Sequence, residues 1–332
     1  SIDHANLNST KIIKEAFENV KERIGRRPML MDFITQNSID PKVIISKFNN
    51  YYLFLKKYNY IGEIFRKDAV KNLTFLSKEL LPGLKKSDYE VLENMIKGND
   101  YSLKSEDDMK TSLNILSLNY FGKNEKERYG SPIVDPNTKR LSKTFSEYLK
   151  DEDYRSFVFD ILNLAKYYNE KIQNSGNDLI LYNQYTRLDF LKLVNWRNDK
   201  KNMANNIYGY RVLDGYIPLF ITYHKSEDID DSIKYEDHFL NQEELAWVSR
   251  KNVSLKNKEI NQIINHKEDG KTIYIFVKKN DSEGSQHYYL GEAEYMKGSA
   301  NETTNVTEDK IVTMNFIMKT PIRDDIYRYL VN

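Results

Sequence analysis

Histidine and cysteine, the side chains most used for proton transfer, nucleophilic attack and metal binding, are sparse in this sequence. Five histidines occur, His4, His224, His238, His266 and His287, and there is no cysteine. The histidines show no ligand spacing such as H-E-x-x-H, and thiolate zinc sites, iron–sulfur clusters and disulfides are excluded outright. A cysteine-free chain fits a reducing cytoplasm. Glu308-Asp309-Lys310 offers a loose match to a metal-dependent nuclease, but such triplets arise by chance in a chain that is 30% charged. No catalytic residue, metal or cofactor is expected in this chain.

Binding chemistry is better represented. The net charge is only +1, from 50 Lys plus Arg against 49 acids, which argues mildly against a nucleic-acid binder. The local pattern is more informative. Residues 226–246 hold eight acids against one lysine, and residues 248–279 hold eight bases against three acids. Such blocks serve equally as solvated faces or as a phosphate-binding strip. The candidates for DNA-backbone contact are His224, Lys225, Arg250, Lys251, Lys278 and Lys279. Trp196, Tyr208, Tyr210 and Trp247 adjoin apolar runs, which by themselves place their rings in a core.

The elements that must position these residues fall into two halves. Length alone, 332 residues, suggests two domains. Through about residue 170 the apolar period is helical. Ser9 can cap a helix carrying Ile13, Ala16, Phe17, Val20 and Ile24, with Gly25 ending it. Asp40-Pro41, Ser87 with Glu90, and Ser105 with Asp108 read as further helix starts, Gly98 as a stop, and 144–170 as a helical stretch. After 174–177 the period changes. Thr186 with Asp189 caps a short helix over 187–195, strand-like runs cover 207–212, 217–223, 272–277 and 311–318, 280–285 is a hairpin loop, and 253–265 is helical. The class expected is therefore α+β: an all-α domain over 1–175, then a mixed, strongly bent sheet or small barrel with helices over 176–332. No run of eighteen apolar residues exists, so no membrane span is expected. The chain begins at Ser1 rather than Met, which reads as a piece of a longer protein.

Several phrases occur in a fixed order in the second half: Tyr185-Thr-Arg-Leu-Asp-Phe-Leu-Lys-Leu-Val-Asn-Trp196, Ile207-Tyr-Gly-Tyr210, Pro218-Leu-Phe-Ile-Thr-Tyr-His-Lys225, Ser232-Ile-Lys-Tyr-Glu-Asp237, Trp247-Val-Ser-Arg250, Phe276-Val-Lys-Lys279 and Tyr288-Tyr-Leu-Gly291. Together they resemble the C-terminal domain of SauUSI-type bacterial restriction enzymes, a type IV, modification-dependent family with a phospholipase-D-like nuclease and a DEAD/DEAH helicase ahead of it. The phrase Gly25-Arg-Arg-Pro-Met-Leu-Met-Asp-Phe33, with Ser38-Ile-Asp-Pro41 and Lys47-Phe-Asn-Asn-Tyr51, resembles the helical segment that follows the helicase. The resemblance implies a helical coupler joined to a domain that recognises double-stranded DNA carrying 5-methyl or 5-hydroxymethyl cytosine. The helicase and nuclease, with their ATP and divalent metal, are implied for other parts of the parent chain.

The recognition domain of that family is thought to be similar to SRA (PUA-like) domains, which flip the modified base between two aromatic rings. SRA domains carry a Tyr-Glu-Asp-Asp string and a second aromatic residue twelve positions after its tyrosine. Here Tyr235 begins Tyr-Glu-Asp, Trp247 stands twelve residues on, and His238 replaces the fourth-position acid. The resemblance thus implies a base pocket of Tyr235, Asp237, His238, Trp247 and Val248, with either Asp237 or His238 reading the base edge. Flipping costs a few kcal/mol, and stacking returns roughly 1–3 kcal/mol per ring. A carboxylate would accept from cytosine N4, which thymine lacks. Two other readings stay open: a protein-interaction module without modified-base specificity, and a nuclease in its own right. For the latter, His224-Lys225 lacks the spacer of a His-x-Lys signature.

Overall fold

The computed structural model describes residues 10–100, 105–196, 209–224 and 236–332. Within these, residues 10–178 with 192–196 form one compact unit, and residues 179–191 with 209–332 form another. The class is α+β, as the two periods predict: among the described residues there are thirteen helices and, in the second unit, a mixed sheet of eight strands that does not close.

In the first unit, ten helices follow the apolar repeat: α1 Thr10–Ile24, α2 Leu30–Thr35, α3 Lys42–Phe48, α4 Tyr51–Lys57, α5 Lys67–Glu79, α6 Lys86–Lys97, α7 Glu106–Leu116, α8 Lys123–Tyr129, α9 Lys143–Tyr148 and α10 Glu152–Asn174. A short hairpin, β1 Val134–Asp135 with β2 Arg140–Leu141, lies between α8 and α9. Ile13, Ala16, Phe17 and Val20 are the buried face of α1, as their spacing requires. Ser105 caps α7 by accepting from Asp108 N–H at 3.2 Å, and Gly98 ends α6 in the left-handed conformation.

Other expectations shift. Ser9 lies outside the described residues. Ser87 is not a cap: α6 begins one residue earlier, and Ser87 is buried against Ser112, whose hydroxyl donates to it at 3.0 Å. A side-chain hydrogen bond inside the core outweighed the local capping pattern. The stretch 144–170 is two helices, because Asp151 accepts from Asp153 and Tyr154 N–H and starts a new one. The long α10 is the spine of this unit. Its Tyr154 hydroxyl donates to Ala69 O at 2.7 Å, and Asn169 donates to Gly83 O at 2.8 Å. A β-carbon on Gly83 would lie 2.3 Å from Ala165 O, so only glycine allows this approach.

In the second unit, the strands are β3 Gln184–Tyr185, β4 Tyr216–His224, β5 His238–Phe239, β6 Glu244–Val248, β7 Thr272–Asn280, β8 His287–Tyr295, β9 Asn301–Thr304 and β10 Lys310–Met318. The helices are α11 Arg187–Leu193, α12 Lys258–Ile264 and α13 Asp324–Val331. The sheet runs β4-β7-β8-β10-β6-β5, with β3 on β8 and β9 on β10; only β4 and β7 are parallel. Three of the expected strands appear and extend by a few residues. The fourth, 207–212, begins outside the described residues, and from it Tyr210 makes a single bridge to Leu219. The helix expected over 253–265 is confined to α12, because Asn257 caps it there.

One sheet face carries Ile217, Leu219, Ile221, Ile273, Ile275, Val277, Leu290, Met314 and Phe316, closed by Ile260 and Ile263 of α12 and Ile326 and Leu330 of α13. Phe220, Phe276 and Tyr289 form a second aromatic layer on which Phe190 of α11 packs. The sheet is strongly bent, and its two outer strands meet through side chains. Tyr223 of β4 and Phe239 of β5 stack at 5.8 Å, and Phe239 N–H donates to the Tyr223 hydroxyl at 3.3 Å. No described helix is long and apolar enough to cross a membrane.

The first unit contains a titratable group with a clear consequence. Asp160 is buried and accepts from the backbone N–H groups of Leu30 (2.7 Å) and Met31 (3.2 Å) at the start of α2. Burial pushes its carboxyl from 3.8 up to about 7, against the lowering effect of those two donors. The unfolded chain therefore releases this proton first as pH rises. Between about pH 4 and 7 the folded state holds a proton that the unfolded state lacks, and stability falls by up to about 1.4 kcal/mol per pH unit. Urea titrations across that window should show the decline, and Asp160→Asn should flatten it. A slope unchanged by the substitution would refute the assignment.

Candidate nucleic-acid interface

The described part of the motif, residues 236–247, folds as a hairpin. Asn241 turns the chain, its side-chain oxygen accepting from Glu243 N–H (2.8 Å) and Glu244 N–H (3.0 Å). This brings β5 onto β6, with His238 opposite Ala246 and Phe239 opposite Leu245. Asp237 is buried, and its Oδ1 accepts from Val248 N–H at 2.8 Å. Tyr235 and Lys225 lie outside the described residues.

The four described members of the expected base pocket occupy different places. Alternate side chains of β6 point to opposite faces. Leu245 and Trp247 face the core, so Trp247 and Val248 are on opposite sides of the strand. Trp247 is 2% exposed, with Tyr210 edge-to-face at 4.9 Å and Phe316 at 5.7 Å. In this arrangement the indole is a core ring.

His238 is only partly buried. Its Nδ1 lies 2.7 Å from Glu236 O. A carbonyl oxygen can only accept, so Nδ1 carries the hydrogen, and when Nε2 carries none it is an acceptor. That is the same hydrogen-bonding character a carboxylate has at this position.

The expected backbone-contacting cations divide in two. Arg250 serves inside the unit: its guanidinium lies 3.9 Å over the Tyr210 ring, donates to Tyr210 O and pairs with Glu259 at 3.5 Å. It thereby fixes the ring that packs against Trp247. Lys251 pairs with Asp309 at 3.1 Å. The second group sits at the far ends of β4 and β7, where His224 is in register with Asn280. There Lys278 pairs with Asp281 at 3.4 Å, and Lys279 lies 5.0 Å over the Tyr329 ring. His224 is exposed. Sequence reasoning missed Glu259 as the partner of Arg250, because a helix-surface glutamate carries no signal of what it will face. Among the described residues no cluster of His, Asp and Glu could hold a metal ion.

Two family profiles match the chain, each described only as a domain of unknown function: DUF8090 over residues 13–174 and DUF3427 over residues 179–330. No curated protein matches it. Similar solved structures include the SUVH5 SRA domain in complex with hemi-methylated CG DNA (10% identity, 44% of this chain, 92% of that chain, TM-score 0.30). Arabidopsis thaliana SUVH6 in complex with SAM is similar at 10% identity over 78% of this chain and 41% of that one, with a TM-score of 0.31. The DNA modification-dependent restriction endonuclease AspBHI is similar at 10% identity over 41% of this chain and 69% of that one, with a TM-score of 0.27.

The burial of the hairpin sets its mutational response. Trp247→Ala removes a core indole and should cost about 3–5 kcal/mol in denaturant unfolding of the β unit. Asp237→Ala strands the Val248 N–H and should cost about 1–3 kcal/mol. An alanine at position 247 that leaves the unfolding midpoint unmoved would show that the ring is not part of the core.

Proposed function

We propose that residues 179–332 read a modified cytosine, 5-methyl or 5-hydroxymethyl, in double-stranded DNA by flipping it out of the helix. The parent protein is then an ATP-dependent, SauUSI-type restriction endonuclease, with its helicase and nuclease in other parts of the chain and residues 10–174 as the coupling segment. The ordered phrases between Tyr185 and Gly291 support the reader. The observation that carries its chemistry is the contact of His238 Nδ1 with Glu236 O. With Nδ1 donating to Glu236 O, Nε2 is left to accept from the exocyclic N4 of cytosine. His238 thereby takes the place of the fourth-position acid, and Asp237 holds the hairpin by accepting from Val248 N–H.

Tyr235 supplies the stacking ring, worth roughly 1–3 kcal/mol against an unstacking cost of similar size. Trp247 contributes by backing β6 against Tyr210 and Phe316. Phosphate contacts from Lys278, Lys279 and His224 would orient the duplex without specifying sequence.

Fluorescence anisotropy with matched duplexes tests this reading. Wild type should prefer methylated over unmodified DNA at every salt concentration. Tyr235→Ala and His238→Leu should remove that preference while leaving weak general binding. His238→Gln, which keeps an acceptor, should retain part of it. Equal affinity of wild type for both duplexes removes the modified-base reading, and absence of DNA binding points to a protein-interaction module instead.

A further inference from the structure

Arg187 opens α11 and lies 5.9 Å over the ring of Phe220. Phe220 is itself fixed, stacked on Phe276 at 4.5 Å with planes 7° apart. The Arg187 side chain is partly exposed, yet its Nε is buried with no hydrogen-bond partner, and no carboxylate among the described residues pairs with it. Burial alone holds its guanidinium below the usual value, with no neighbouring acid to raise it. Compare Arg26, held by Asp32 at 2.7 Å, and Arg323, held by Asp325 at 2.5 Å. Those cations are exposed and matched, whereas Arg187 is partly desolvated and unmatched.

A second unmatched group stands on the same ring. His287 is 2% exposed and meets Phe220 edge-on at 5.1 Å. Its Nδ1 faces Ser285 O at 3.1 Å, and its Nε2 is buried without a partner. Burial, with Lys278 and Arg187 nearby, pushes its imidazole down to about 3. Lys278 is near enough to act on His287, although its own ammonium is taken by Asp281 and Gly284 O. The charged groups that bear on His287 are thus both positive, whereas the uncharged imidazole, with Nδ1 donating to Ser285 O, offers Nε2 only as an acceptor, so an anion at this place would be held by the cations and not by His287.

We propose that Arg187, with Lys278 as the second cation near His287, is a phosphate-binding position that holds one backbone phosphodiester of a bound duplex. The planar guanidinium fork matches two phosphate oxygens, and Phe220 presents it in a set orientation. The position rests on the reading of this unit as a DNA reader. It differs from the base site in that it positions the duplex and is blind to methylation.

Duplex binding across a salt series by wild type, Arg187→Gln and Arg187→Lys tests it, with thermal midpoints as a check on folding. Arg187→Gln should weaken methylated and unmodified duplexes by the same factor, and its slope of log affinity against log salt should shrink by about 0.9. Arg187→Lys, which keeps the charge, should retain most of the slope. A folded Arg187→Gln with wild-type affinity and slope overturns the position while leaving the reader standing. So does a thermal shift by inorganic phosphate that needs Arg187 while duplex affinity does not, because the site then takes a free anion. Wild type that binds neither duplex overturns the reader and this position together.

Discussion

An open sheet has two edges, and each carries unpaired backbone groups that invite association with other chains. In the β unit this constraint is met by curvature. The path β4-β7-β8-β10-β6-β5 bends until its end strands touch through Tyr223 and Phe239. The contact matters beyond edge protection, because β5 has only two residues and little pairing of its own. Phe239 is anchored to Tyr223 on one side and to β6 on the other, and residues 237–238 are carried with it. The position of His238 therefore depends on the bend of the whole sheet.

The bend needs irregularity as well as length. Register slips between Ile275 and Phe276, opposite Gly291, whose φ of 106° is open to glycine and strained for other residues. From that point the inward face of β8 passes from Leu290 to Ala293 instead of Glu292, which keeps glutamate out of the core. A carboxylate buried there would need a partner that the apolar face does not supply.

Much of this was legible in the sequence, and the losses have physical causes. The long strands β4, β7 and β10 show apolar runs that read directly, because most of their central residues are buried. β5, β3 and β9 are too short for any period to register, and β6 reads as four apolar residues behind a pair of glutamates. Asn241, a single turn residue, was the available sign of the β5–β6 hairpin. The helical half was legible because its repeat is long. Its capping error at Ser87 came from a serine whose true partner, Ser112, is 25 residues away. The residue types of the proposed base site came from the resemblance, but their faces were not legible. That Trp247 points into the core follows from the register of β6 on β10, with Trp247 opposite Met314, and no local signal carries that register.

The cations show why charge alone is a poor guide to an interface. Arg250 and Lys251 lie in the basic block and look available in sequence, yet each meets an acid in the fold, Glu259 on α12 or Asp309 just ahead of β10. Arg187 sits outside the block, beside Asp189 in a helix start, where its charge looks ordinary. In the fold, Asp189 turns back to accept from Thr186 N–H at 2.7 Å as part of the helix cap. The acid nearest in sequence is thereby committed to the backbone, and the arginine is left against Phe220. Surface ion pairs are individually weak, so an exposed lysine can exchange its partner for a phosphate at little cost. A partly buried guanidinium without an acid has more to gain from an anion, because the desolvation has already occurred in forming the fold.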